Sequence, residues 1–303
     1  MKASVAAFAG MGAAVDFGRK FIPEKLTPLF YAPAYRRLAP HHRLRYNQLQ
    51  ALYFNEQIIF FETMIGRGVM EGLLRQAWGD GFGEHLRQFA DEEVRHSEMF
   101  RQLNRRCAPQ YYGAADFHFI HVPRRWVAAL RWMTRRTRLF TLFLWLMLLQ
   151  EERSLYYSKE FIRHGADIEP HFTACHRAHL ADEVRHVRWD QELLDRLWQR
   201  SGRLLRTVNA RLFSWMMGEF FSTPKRGQLQ VIANLVREFP ELNEREAELR
   251  RQLASLPEDE TYQLSLYSRD IVPQCFARFD QWPELRVMEQ AMRGYRFRAE
   301  APR

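Results

Sequence analysis

Two short phrases fix most of what this chain can become. His179-Leu180-Ala181-Asp182-Glu183-Val184-Arg185-His186 sets one imidazole four residues before a carboxylate and another three after it. On a helix those positions share one face. Glu93-Val94-Arg95-His96 repeats Glu183-Val184-Arg185-His186 letter for letter, 90 positions upstream. Two Glu-x-x-His pairs on two helices are half of the ligand set of a carboxylate-bridged di-metal helix bundle. The expected fold is therefore all-α, built on four long helices.

The rest of the chain can be laid out around these pairs. Residues 1–42 read as an N-terminal wrapping segment. Met1 to Val15 forms a loose apolar arm without the Leu-rich centre of a signal peptide, and Pro23, Pro28, Pro33 and Pro40 discourage regular helix. Helix one begins near Arg43, with Leu52, Ile58, Ile59, Ile65 and Val69 at helical spacing. Gly66 and Gly68 can kink it, and Gly79-Asp80-Gly81-Phe82-Gly83 stops it. Helix two covers about 84–105 and a loop runs from Cys107 to Pro123. A basic lead-in at 124–135 precedes helix three, about 136–164. Helix four runs from Pro170 to about Arg200. Residues 43–200 would form the bundle core. Residues 201–303 would add shorter helices on the same domain, divided by Pro224, Pro240, Pro257, Pro273 and Pro283.

A di-metal bundle needs one carboxylate from each remaining helix. Helix one offers Glu56, Glu62 and Glu71, and helix three offers Glu151 and Glu152. If the halves are pseudo-repeats, the offset from lone carboxylate to paired Glu should match. Glu62 to Glu93 is 31 residues, and so is Glu152 to Glu183; Glu56 gives 37 and Glu151 gives 32. Glu62 lies in the stripe of Ile58, Ile59, Ile65 and Val69, and Glu152 among Leu148, Leu149, Leu155 and Tyr156. Ionised carboxylates on apolar faces are costly unless a cation satisfies them. One Glu-x-x-His is common without metal; two copies with matched carboxylates favour Glu62, Glu93, His96, Glu152, Glu183 and His186 as ligands. Glu92 and Asp182 each precede a ligand and could hold the far nitrogen of a ligand histidine, or be ordinary ion-paired side chains. Arg95 and Arg185 read as nearby charges. His179 has Phe89 as its counterpart in the first half, so it is either an extra ligand or a core histidine.

Composition narrows the class. A chain of 303 residues, 47% hydrophobic and 27% charged, suits a globular protein. The net charge of +9 rests on arginine spread along the chain, without a nucleic-acid motif. Three separated cysteines, Cys107, Cys175 and Cys275, show neither a disulfide framework nor zinc spacing and fit a reducing, cytoplasmic setting. The most apolar run, Leu139 to Leu149, is too short to cross a bilayer.

From about residue 45 to 200 the chain resembles the AurF-type p-aminobenzoate N-oxygenases, non-haem di-iron enzymes of ferritin-like fold. The resemblance is carried by Asn55-Glu56 followed by Glu62, Glu92-Glu93-x-x-His96, Glu152, His179-Leu-x-Asp-Glu183-x-x-His186 and Asp167-Ile-Glu-Pro170. It implies seven ligands, Glu62, Glu93, His96, Glu152, His179, Glu183 and His186, with Glu93 and Glu183 bridging. The third histidine separates this family from ferritins and radical-generating subunits. Two iron ions (Fe2+/Fe3+), O2 as co-substrate and an external electron donor are implied. The implied reaction passes through a peroxo species and converts a small-molecule or carrier-bound amine to hydroxylamine or nitro product. Where the best-known member of the family carries Tyr before the Asn-Glu pair, this chain has Phe54. Phe54, Tyr156 and Arg278 are the candidate substrate contacts, Arg278 for a carboxylate. Neither nucleic acid nor membrane is implied as partner, and a homodimer is allowed. Carbon oxygenation, iron oxidation and storage, a radical-generating subunit relying on Tyr156, and a metal-free scaffold are the competing readings.

Overall fold

Pro40 starts the first long helix, three residues earlier than the sequence pattern suggests. Its fixed φ suits the first turn, and its missing N–H is not needed there. Helix α1 runs Pro40–Phe60, passes through a π-helical turn at Phe61–Gly66, and continues as α2, Arg67–Leu74. The computed structural model describes residues 14–221 and 226–298, and among these no strand forms. The N-terminal arm before Ala14 and the break at Pro224 lie outside the described residues.

Gly81, at φ 77°, makes the left-handed turn that only glycine takes freely and leads into α3, Phe82–Cys107. The basic lead-in is a separate helix, α4, Arg124–Thr134. α5 then covers Leu142–Arg163. Asn209 explains the break between them: its side chain accepts from the Leu142 N–H at 3.1 Å and donates to the Leu139 carbonyl at 2.9 Å. α6 spans Pro170–Leu197. Its cap is Glu169, which accepts from the N–H groups of His171 (2.8 Å) and Phe172 (3.3 Å) and meets the His171 ring at 2.6 Å.

The interrupted α1–α2 rod, α3, α5 and α6 are the four bundle helices. α1 packs on α3, α3 on α6, and α5 along α6. Beyond them come α7 (Arg203–Met216), α8 (Arg226–Glu238), α9 (Asn243–Ser255), α10 (Glu260–Leu266) and α11 (Pro273–Phe279). α7 and α11 cover α5, and α8 covers α1. As a result the first half of α5 is enclosed on every side: each residue from Leu142 to Leu149 is buried. No helix among the described residues is long and apolar enough to cross a membrane.

The proline-rich segment is stitched to α1. Asn47 accepts from the N–H groups of Phe21 (2.8 Å) and Ile22 (3.2 Å) and donates to the Ile22 carbonyl (2.7 Å). A second stitch is Glu56. Its buried carboxylate accepts from the N–H groups of His118, Phe119 and Ile120 and from the Tyr112 hydroxyl at 2.8 Å. One side chain thereby holds the loop between α3 and α4. Each buried donor left unpaired costs about 1–3 kcal/mol, so Glu56→Ala is expected to lower stability by about 3 kcal/mol or more in chemical denaturation. Glu71, in exposed ion pairs with Arg67 and Arg135, is the control: its Ala variant should lose less than about 1 kcal/mol. Equal losses would contradict this role for Glu56.

Candidate metal centre

The four bundle helices bring seven titratable side chains to one buried point. Glu62 comes from the π turn, Glu93 and His96 from α3, Glu151 from α5, and His179, Glu183 and His186 from α6. All are buried. Glu93, His96, Glu183 and His186 offer ligand atoms within 4.8 Å of one another, and so do Glu62, His96 and His179. His96 belongs to both groups, so the two groups adjoin. Glu183 Oε1 lies 3.4 Å from His96 Nδ1, 2.8 Å from His179 Nε2 and 3.6 Å from His186 Nδ1. Glu93 Oε1 lies 3.8 Å from His96 Nδ1 and 3.4 Å from His186 Nδ1. These two carboxylates are central. Glu62 approaches His179 Nε2 at 3.4 Å, and Glu151 approaches His186 Nδ1 at 3.7 Å.

Few of these atoms hydrogen-bond. Glu62 Oε2, both oxygens of Glu93 and of Glu183, His96 Nδ1 and His186 Nδ1 are buried without a hydrogen-bond partner. Native proteins rarely leave buried polar atoms unsatisfied. Hard oxygens and imidazole nitrogens converging in this way suit iron or a similar divalent ion. The residues present therefore fit a di-metal group.

The outward ring nitrogens are held from the opposite helix. His96 on α3 meets Asp182 of α6 at 3.1 Å, and His186 on α6 meets Glu92 of α3 at 3.0 Å. Such contacts fix the tautomer and aim the inner nitrogen. His179 meets Ser154 Oγ at 3.2 Å. Arg185 bridges Glu92 and Asp182, and Arg95 lies 3.5 Å from Glu92. Gly66 explains how the π turn fits: a Cβ there would sit 3.1 Å from Glu93 Oε2. π turns often mark functional sites.

The structure corrects three expectations. Glu152 is not in the cluster; its carboxylate accepts from the N–H groups of Gln274 and Cys275, both at 2.8 Å, at the start of α11. Glu151 occupies the position instead. Equal offsets measure chain length, not helical phase, and the first half contains a π turn where α5 is unbroken. The first half of α5, Leu142 to Leu149, is apolar all round, so no hydrophobic stripe leads up to Glu151 and Glu152 to choose between them. The same one-residue shift replaces Tyr156 with Tyr157 in the adjoining cavity. Arg278 does not reach the cavity; it pairs with Asp195 at 2.6 Å. Phe54 does line it.

That cavity, of about 90 Å3, is bounded by Glu62, Glu151 and His179 of the cluster, by Phe54, Ile58, Phe61 and Phe221, and by Gln150, Arg153, Ser154 and Tyr157, with exposed Gln57 at its edge. A water needs roughly 10–15 Å3 on this measure, so a small organic ring has room. Sequence reasoning missed Glu151, Arg153 and Tyr157. The helical spacing of Gln150, Arg153 and Tyr157 on α5 was the available signal. Asp190, four residues after His186, was also missed; it is buried with both oxygens unpartnered.

Electrostatics make the metal-free cluster a proton store. Burial pushes Glu62 up to about 7 against the pull of His179. Burial and the Glu183 charge push Glu151 well up, and burial does the same to Asp190. Burial opposes charge on His179, but Glu183 and Glu62 outweigh it and hold the ring at about 10. Burial opposes charge on Glu92 too, but His186, Gln88 and Arg185 hold it down at about 2; the His96 contact holds Asp182 at about 2. The unfolded values are about 4.3 for Glu and 6.5 for His. Folded Glu62 and His179 thus keep protons that the unfolded chain has lost, and stability falls as pH rises through those windows. Glu92 and Asp182 act only below about pH 4.5. The metal-free protein is expected to lose roughly 5 °C or more in Tm between about pH 5.5 and 8.5. Metal should remove most of that slope, because it replaces the protons. A flat metal-free profile in differential scanning calorimetry would contradict this account.

The comparison with known proteins agrees with the geometry. Among curated proteins none matches the chain. Residues 11–256 match the family described as P-aminobenzoate N-oxygenase AurF. The match extends beyond the region of resemblance on both sides, into the wrapping segment and the helices after α6. With a ferritin-like helical bundle and this match over most of its length, the chain belongs to the AurF family of di-iron N-oxygenases.

Proposed function

We propose that this protein is a di-iron monooxygenase that places one oxygen atom of O2 on the nitrogen of a small aromatic amine. The observation that carries the reading is the buried cluster of four carboxylates and three imidazoles, with seven inward-facing atoms lacking hydrogen-bond partners. We assign Glu62, Glu93, His96, Glu151, His179, Glu183 and His186 as the ligands, with Glu93 and Glu183 between the two positions. Bound iron would supply the reductive activation of O2. The carboxylates supply four negative charges, which balance the four positive charges of two Fe(II) ions, so the loaded site is close to neutral and can be buried.

The remaining roles belong to the chain's own residues. Asp182 and Glu92 orient His96 and His186 through their outward nitrogens, and Ser154 positions His179. Phe54, Ile58, Phe61 and Phe221 wall a cavity that opens onto Glu62, Glu151 and His179. Apolar walls beside the cluster suit an aromatic substrate, where an iron-storage protein would need an acidic entry path. One turnover converts R–NH2, O2, two electrons and two protons into R–NHOH and water. An N–O bond forms, the O–O bond breaks, and an external electron donor supplies the electrons. Repeated turnover leads on toward the nitro product. Small amines are the natural substrates for a cavity of this size.

Iron-replete protein is expected to contain two irons per chain. Mixing the reduced protein with p-aminobenzoate and 18O2 is expected to give a product carrying 18O on nitrogen, read by mass spectrometry. Fewer than one iron per chain would overturn the di-iron assignment. Incorporation on carbon, or amine recovered unchanged from the loaded protein, would overturn the N-oxygenase reading.

A further inference from the structure

A second cavity, of about 360 Å3, reaches the cluster between the π turn and α2 on one side and α3 on the other. Its inner end is formed by Glu62 and Glu93, both buried. Glu62 Oε2 and both oxygens of Glu93 have no hydrogen-bond partner. Its outer rim carries exposed Asp91 and Val94. The Asp91 side chain has neither a hydrogen bond nor an ion pair among the described residues. A water needs roughly 10–15 Å3 on this measure, so an ion that still carries its own waters has room to enter.

The charges along this groove do not cancel. Four carboxylates line it, Glu62, Glu71, Asp91 and Glu93, against two arginines, Arg67 and Arg101. Arg67 pairs with Glu71 at 3.1 Å, and Arg101 pairs with Asp116 at 3.0 Å. Among the described residues, Asp91, Glu62 and Glu93 are left without an arginine or lysine partner. Negative charge therefore runs from the rim to the buried end.

The apolar cavity is the opposite case. Arg153 lines it with no ion pair among the described residues, beside Phe54, Phe61 and Phe221. A divalent cation there would meet a like charge and aromatic walls. The chain as a whole carries +9, so its overall field repels a cation. A local lane of acids is what overcomes such a field and raises the rate of entry.

We propose that the groove between α2 and α3 is the route by which Fe(II) enters the cluster. Asp91 draws the ion in at the rim, and Glu62 and Glu93 offer the first oxygens inside. This rests on the di-iron reading given above. The two cavities then have separate tasks, the cation entering on the α2–α3 side and the organic substrate on the apolar side. Loading fills two positions once per chain, so the lane serves assembly of the site and not continual passage of iron into a store.

The test is the rate of loading. Metal-free protein, prepared by chelation, is mixed anaerobically with Fe(II), and the iron that an added chelator no longer reaches is followed in time. Asp91→Lys is expected to load about 10-fold more slowly at low ionic strength. The difference should shrink at about 0.5 M salt, where exposed charges are screened. Val94→Glu, which adds an acid to the exposed rim, should load faster than wild type and covers the case of Asp91→Lys failing to fold. Both variants should end with as much iron per chain as wild type. Ile58→Trp, on the wall of the apolar cavity, should load at the wild-type rate. Rates that ignore both rim substitutions, or loading slowed by Ile58→Trp alone, would overturn the route and leave the di-iron site standing. Rim-dependent loading of a protein that oxidises no amine would support the route and overturn only the reaction assigned above. Wild-type protein that takes up no iron would overturn both.

Discussion

Four carboxylates buried against three imidazoles are the constraint on which the rest of this structure depends. At such separations like charges cannot all ionise in a low dielectric. The metal-free chain meets the problem by storing protons on Glu62, Glu151 and His179. Two divalent ions would meet it better, since they would satisfy oxygens and nitrogens that otherwise have no partner. The surrounding scaffold is arranged to keep those atoms aimed inward. Acids on α3 and α6 each reach across to the other helix's histidine, so neither Glu-x-x-His pair is positioned by its own helix alone.

The bundle must also bring four helices close at one level, and small local devices do so. The π turn at Phe61–Gly66 carries Glu62, and Gly66 leaves the space that Glu93 occupies. Glu56, six residues earlier on the same rod, faces away and uses its charge on backbone N–H groups of the loop beyond α3. The two glutamates differ only in which direction their helix turns them, and one serves the fold while the other joins the cluster. Glu151 and Glu152 repeat this division on α5: the first turns to His186 and the second to the first N–H groups of α11.

The all-α bundle, the order of its helices and five of the cluster residues, Glu62, Glu93, His96, Glu183 and His186, were legible from spacing alone. Identical Glu-x-x-His phrases and the apolar stripe around Glu62 carried that information. His179 was visible as the one residue without a counterpart. What spacing could not resolve was the phase of α5. The half of α5 before Gln150 is buried on all sides and has no polar face to orient it, and an offset rule cannot register a π turn on a different helix. Glu152, Tyr156 and Arg278 were misplaced for that reason or because contacts from α6 and α11, distant in sequence, claimed them. Arg153 and Tyr157 became visible only when the cavity beside the cluster was seen.

The central claim is that two ions sit among Glu62, Glu93, His96, Glu151, His179, Glu183 and His186. Anomalous diffraction at the iron edge, on crystals of iron-replete protein, tests it most directly. The account predicts two iron peaks within this cluster, with Glu151 bound to one and Glu152 still accepting from Gln274 and Cys275. A single peak or none, or Glu152 bound to iron with Glu151 turned away, would contradict it.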